Sequence, residues 1–385
     1  MHFATLAVHA GQEPDPTSGA VNIPVHFSST FAQDGLGGLR KGYEYARTDN
    51  PSRRALETTL AALEGGSHAL AFASGQAAST AVLDLLAPGD EIVTTPDIYG
   101  GTYRLLHRVF AKYGLRTRSA ASADSDSIAA VLSPDTALVW IETPSNPLLN
   151  VIDIAAVAEA VRAHKGRGGL APLLVVDNTF ASPALQNPLK LGADVVTHSC
   201  TKYLGGHSDL VSGAVVTSRK ELWERLKFYQ NAAGAVPSPM DCYLLQRGIR
   251  TLPLRIRRHG ENAAAVAGFL KGHPKVEKVF FPGFADHPGH AVALRQMKGF
   301  PGMVSFRIRG GLKETRDFFR KLGLILPAES LGGVESLACH PATMTHASIP
   351  AEARAAIGIS ENLVRLSLGI EDPDDLVQDL SRALD

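Results

Sequence analysis

Two side chains of this 385-residue sequence are notable for where they fall. Asp177 closes the apolar run LLVV, and Lys202 ends the stretch Ser199-Cys200-Thr201-Lys202 that follows ADVVTH, just ahead of Gly205-Gly206. A carboxylate ending a strand of apolar residues has to be hydrogen-bonded or paired, because leaving it bare costs several kcal/mol. Taken singly, each has an ordinary explanation. An Asp in that place suits a helix cap or a buried turn, and most lysines are solvated surface charges. Taken together on neighbouring strand ends, they supply what an aldehyde cofactor of the pyridine type requires. The lysine holds the aldehyde, and the carboxylate keeps the ring nitrogen protonated so that the ring accepts carbanion electrons. Ser199 and Thr201 add hydroxyls for a phosphate, and Gly75-Gln76 opens a helix-like AASTAVLDLL whose free N–H groups form an anion site.

Other chemistries find less support. Neither G-x-x-x-x-G-K-[ST] nor G-x-G-x-x-G occurs, so a nucleotide is a weaker occupant for the phosphate site, and a dinucleotide-dependent dehydrogenase loses its fingerprint. His198 and His207 flank the lysine without an H-E-x-x-H or a Cys/His cluster, which argues against a metal. The absence of G-x-S-x-G removes the common serine-hydrolase arrangement.

Residues this far apart need a scaffold that returns the chain repeatedly to one edge. From 51 to 245, short β-prone runs (HALAFAS, DEIVTT, ALVWIET, LLVVDNT, ADVVTHS, GAVVTS) alternate with helical stretches. SRRALETTLAALEG places Leu56, Leu60 and Leu63 at helical spacing and ends on Gly65, a fitting C-terminal cap. Such alternation predicts a mostly parallel sheet with helices on both faces, whose ligands bind at the carboxyl ends of the strands. Residues 1–50 are rich in Gly, Pro and Ser and read as an arm that packs on something else. Residues 246–385 begin with one long helical segment, RGIRTLPLRIRRHGENAAAVAGFLKGHP, and continue as a smaller α+β unit.

Composition bounds the setting. Lys plus Arg equals Asp plus Glu at 38 each, which removes the electrostatic reason to expect nucleic acid or an anionic membrane as partner. No apolar run approaches the ~18 residues of a membrane span. The start lacks a basic stretch followed by an apolar one, and Cys200, Cys242 and Cys339 are sparse and form no C-x-x-C pair. A cytoplasmic, globular protein with reduced thiols is the expectation.

DVVTHSCTKYLGGHS, spanning 194–208, resembles the lysine signature of the Cys/Met-metabolism pyridoxal-5′-phosphate (PLP) enzymes. Further blocks resemble that family in order along nearly the whole chain: YEYARTDNPSR, FASGQAA, YGGTYR, WIETPSNP, VVDNTFASPALQNPLKLGAD, AESLGGVESL, PATMTHASIP and VRLSLGIED. The resemblance implies a type I PLP fold and a homotetramer of two catalytic dimers. It also implies that Lys202 is the Schiff-base lysine, Asp177 the partner of the pyridine nitrogen and Tyr99 the residue stacked on the ring. Gly75, Gln76, Ser199 and Thr201 match the phosphate-binding positions, with Tyr45 and Arg47 reaching the phosphate from the neighbouring subunit. Arg365 matches the arginine that grips the substrate α-carboxylate, helped by Asn146 and Ser330, while Glu329 and Arg104 match positions facing the substrate's distal end. Gln76 replaces the Met or Leu of many relatives, and Gly101 stands where methionine γ-lyases carry a cysteine. The stretch ESLACHPATMTHASIPAEARAAIGIS, beginning at Glu335, resembles bacterial cystathionine γ-synthases more than β-lyases. The implied activity is therefore replacement at Cγ of a homoserine ester by cysteine, with cystathionine γ-lyase chemistry as the alternative. A PLP-binding scaffold without catalysis is disfavoured by the joint presence of Tyr99, Lys202 and Arg365.

Overall fold

The computed structural model describes the backbone of residues 1–385 and every side chain but that of Arg167. Seven strands build the larger sheet: β1 (His68–Phe72), β2 (Glu91–Thr94), β3 (Arg116–Ser119), β4 (Thr136–Glu142), β5 (Leu173–Asp177), β6 (Val195–Ser199) and β7 (Gly213–Thr217). Their order is β1-β7-β6-β5-β4-β2-β3, and β7 alone runs against the others. Alternate residues of each strand feed opposite faces. Val139, Ile141, Leu174 and Val176 enter one core, while Leu138, Trp140 and Val175 enter a second on the other side. Burial on both faces is why these strands read as nearly unbroken apolar runs.

The smaller sheet comprises β8 (Val276–Phe280), β9 (Met303–Ile308), β10 (Leu326–Pro327), β11 (Leu337–Cys339) and β12 (Leu363–Ser367), in the order β10-β11-β12-β9-β8. KVEKVFFPG, GMVSFRIRG and LVRLSLGI read as strands in the sequence and correspond to β8, β9 and β12, whereas the short β10 and β11 are not among the strands read. The sequence reading also passes over β3, whose residues RTRS lie at the sheet edge and carry no apolar signal.

The helix Pro51–Glu64 forms as its pattern predicts. Asn50 caps it by accepting the Ser52 N–H at 2.9 Å, and Gly65 closes it in the left-handed region at φ 71°. The long helical segment after residue 246 is in fact two helices, Pro239–Ile249 and Leu252–Gly272. Pro253 accounts for the break: it lacks an N–H, and in a continuous helix its ring would clash with the carbonyl of Ile249. The second helix straddles both cores, with Leu252 and Ile256 under the large sheet and Ala263, Val266 and Leu270 under the small one. One helix thus joins the two cores.

The first residues pack on the large core of the same chain. Helix Phe3–His9 buries Ala7 in the large core, and the Thr59 hydroxyl donates to the Ala10 carbonyl at 2.6 Å. The segment that follows, to about residue 48, is largely exposed, including Val21, Phe27, Leu36 and Tyr45. Cys200, Cys242 and Cys339 are buried and unpaired. Among the described residues, no helix is long and apolar enough to cross a membrane.

Candidate active site

Because β1, β4, β5 and β6 run parallel, their carboxyl ends meet along one edge, where the small sheet folds over them. The cavity there holds about 300 Å³. Eleven of the residues singled out in the sequence line it: Gly75, Gln76, Tyr99, Asn146, Asp177, Ser199, Thr201, Lys202, Glu329, Ser330 and Arg365.

Lys202 leaves the end of β6 on a tight turn, and its Nζ donates to Ser330 Oγ at 2.8 Å. Burial, and then the Arg365 guanidinium beside it, lower its pKa to about 8. The amine thereby gains free-base character close to neutral pH, as a nucleophile or proton carrier requires. Arg365 lies on β12 and is 2% exposed. Its Nη1 donates to Asn146 Oδ1 at 2.8 Å and its Nη2 to the Ser330 carbonyl at 2.9 Å, while its Nε has no partner. No carboxylate pairs with it among the described residues. A buried guanidinium in that condition is an unfilled site for an anion. Ser330 bonds both groups and takes a left-handed φ of 108°, a conformation costing about 1–3 kcal/mol for a residue with a side chain. Those two bonds keep it there.

Asp177 ends β5 at the cavity floor. Its Oδ1 accepts the Thr179 N–H at 2.9 Å, and removal from bulk water pushes its carboxyl upward despite that bond and the nearby His198. A cation placed against Asp177 would reverse that shift. Next to it in register on β4 is Glu142, held well above the ordinary carboxylate range by burial and then by Asp177 itself.

The opposite end of the cavity suits a phosphate. Ser74 caps the helix Gly75–Leu83 by accepting the Ala77 N–H at 3.0 Å, leaving the N–H groups of Gly75 and Gln76 at the opening turn. Gly75 is required by close approach, since a Cβ there would lie 2.9 Å from Ser199 Cβ. An amine in a dry pocket, an acid lacking a cation, a ring-bearing tyrosine and an anion-binding turn together form a donor set that fits PLP.

Three expected residues do not line this cavity. Tyr45 is 46% exposed, with the Arg47 guanidinium 5.6 Å from its ring centroid. Arg104 lies just outside, donating to Ser348 Oγ at 3.2 Å. Conversely, the sequence reading missed Glu142, Thr179 and Thr345, all of which line the cavity. Glu142 carries the same signal as Asp177, an acid closing an apolar strand, and was legible on that ground. His198, weighed only as a metal ligand, also lines the cavity, and its Nε2 meets Glu64 Oε1 at 2.5 Å.

Comparison with known proteins follows this geometry. The model of the family described as Cys/Met metabolism PLP-dependent enzyme matches residues 4–385. The chain is 54% identical over 382 residues to a cystathionine γ-synthase of Mycobacterium tuberculosis, spanning 99% of this chain and 96% of that protein. It is 50% identical over 383 residues to a cystathionine γ-lyase of Dictyostelium discoideum, spanning 100% and 97%. The fold superposes with a TM-score of 0.95, at 48% identity, on a crystal structure of cystathionine gamma synthase from Xanthomonas oryzae pv. oryzae in complex with aminoacrylate and cysteine. That superposition covers 100% of this chain and 98% of the other. The large sheet with its smaller companion is accordingly the type I PLP fold. A match that begins at residue 4 and runs to the last one, in sequence and in fold alike, means that this chain belongs to the Cys/Met-metabolism family of PLP-dependent enzymes.

Proposed function

We propose that this enzyme is a cystathionine γ-synthase, joining an O-succinyl- or O-acetyl-homoserine to cysteine by replacement at Cγ. The observation that carries the reading is the unpaired, buried Arg365 guanidinium next to the depressed Lys202 amine. Arg365, aided by Asn146 and Ser330, grips the substrate α-carboxylate and thereby presents Cα to Lys202. Lys202 Nζ takes the Cα proton and restores a proton to Cα once the acyl group has left Cγ as a carboxylate and the cysteine sulfur has replaced it. PLP, when bound, supplies the electron sink that makes the Cα and Cβ protons acidic. Asp177 pairs with its pyridine nitrogen, Tyr99 covers its ring, and Gly75, Gln76, Ser199 and Thr201 hold its phosphate. Glu329 and Arg104 face the distal end of the substrate.

Full-length similarity to a γ-lyase supports cleavage of cystathionine to cysteine, 2-oxobutanoate and ammonia as the second reading. The synthase is favoured by the higher identity, 54% against 50%. A product assay separates them. The γ-synthase reading expects cystathionine from a homoserine ester and cysteine at a higher kcat/KM than 2-oxobutanoate from cystathionine. Since Gly101 offers no thiol, methionine is expected to be a poor substrate. A dominant lyase activity would reverse the assignment.

The exposed segment carrying Tyr45 and Arg47 belongs, in this reading, to the neighbouring subunit's phosphate site within a cytoplasmic homotetramer. Inactive Arg47→Ala and Lys202→Ala proteins, unfolded and reassembled together, are then expected to recover roughly a quarter of wild-type activity, because mixed dimers contain one intact site. Hybrids that stay inactive would place Arg47 in its own subunit's site.

A further inference from the structure

Glu142 has no part in the chemistry above, yet it lines the cavity at 5% exposure. It ends β4 opposite Asp177 in parallel register, so both side chains project to the same face. Both of its oxygens are taken by one turn. Oε2 accepts the Tyr99 N–H at 2.8 Å, and Oε1 meets the Thr102 hydroxyl at 3.3 Å. The Tyr99 ring is confined from another side, since a Cβ on Gly101 would lie 2.3 Å from its Cε1. The pose of Tyr99 is therefore set by a clamp on its backbone and by the missing side chain two residues on.

The charged groups that face Glu142 are acids. Asp177 stands on the adjacent strand, and Asp97, which accepts from Asn150 Nδ2 at 2.7 Å, lies on the other side. No Lys or Arg pairs with Glu142 among the described residues. A third buried anion here would lack any cation to offset its desolvation. We propose that Glu142 acts as a neutral carboxylic acid, a positioning residue that fixes Tyr99 at the cofactor site and leaves Asp177 as the anion for the cofactor ring. In that form Oε2 is the carbonyl oxygen that takes the Tyr99 amide, and Oε1 carries a proton shared with Thr102 Oγ1. The upward push on this carboxyl from burial and Asp177 agrees. The inference rests on the placement of Tyr99 against the cofactor proposed above.

Glutamine mimics the neutral acid atom for atom, its carbonyl for Tyr99 and its NH2 for Thr102, whereas leucine removes both contacts at similar volume. In the holoenzyme, Glu142→Gln is expected to keep kcat within about threefold. Glu142→Leu is expected to lose at least about tenfold in kcat with little change in KM, the cost of one buried hydrogen-bond partner gone. Infrared spectra provide a readout independent of turnover and of the Leu variant's folding. Wild type, with and without cofactor, is expected to show a protonated-carboxyl band that Glu142→Gln lacks. Equal damage from Gln and Leu, no damage from either in a folded protein, or an unchanged band would each overturn the proposal. The band involves no substrate, so a wrong choice between synthase and lyase leaves its outcome untouched.

Discussion

Lys202→Ala is expected to leave a folded protein that has lost the visible absorbance of its bound cofactor and at least about a thousandfold in turnover, the combined worth of the nucleophile and the proton carrier. Both roles end with one atom, because Nζ is the amine drawn into the cavity and held by Ser330 at 2.8 Å. The fold should survive, since Lys202 sits at the cavity wall and its removal exposes no core residue. The pH dependence follows from the direction of the shift. Burial disfavours the ammonium and lowers its pKa to about 8, so the free base grows as pH rises through that value. Capture of added PLP by cofactor-free wild type should accordingly accelerate with rising pH and level off above about 8. Rapid-mixing absorbance measures it, and a rate that falls over the same interval would show that another group controls capture.

Arg365→Ala is expected to keep the cofactor colour while losing roughly ten- to a hundredfold in kcat/KM, from about 1.5–3 kcal/mol for hydrogen bonds to a charged group. The loss should appear for every amino-acid substrate, because the α-carboxylate is common to them all. Arg365→Lys should recover little of it: an ammonium is a point charge without the planar fork that Asn146 and Ser330 already orient. Unchanged kinetics in a folded Arg365→Ala would mean that a different group holds the carboxylate.

Much of this site is legible in the sequence because strand ends are legible. Each apolar run of the large sheet gives way to polar residues at the cavity edge; that is how Asp177 and Ser199 are found, whereas Asn146 enters through the family resemblance. Arg365 is not found this way. It sits within β12, paired with Ser305 and Cys339 on neighbouring strands, and nothing in LVRLS separates an inward-facing guanidinium from a surface one. Its assignment from sequence depends on family resemblance. Glu142 ends β4 with the same strand-end signal as Asp177, but the sequence reading does not include it. The break at Arg250–Thr251 could have been read from Pro253, but the apolar periodicity continues past it and masks it. The edge strand β3 carries Arg, Thr and Ser, so its pairing with β2 is a tertiary fact with no local signature. Helix Phe3–His9 is seven residues long, too short for periodicity to declare itself beside the Gly- and Pro-rich segment that follows.

The account stands most directly on Lys202 as the residue that carries the cofactor. Reduction of the purified holoenzyme with borohydride converts a lysine–cofactor linkage into a stable secondary amine, and peptide mass spectrometry then locates it. The peptide containing Lys202 is expected to gain the mass of one reduced phosphopyridoxyl group, and no such gain should appear in Lys202→Ala. A modified lysine elsewhere, or a Lys202 peptide of unaltered mass from protein that carries bound PLP, would contradict the assignment.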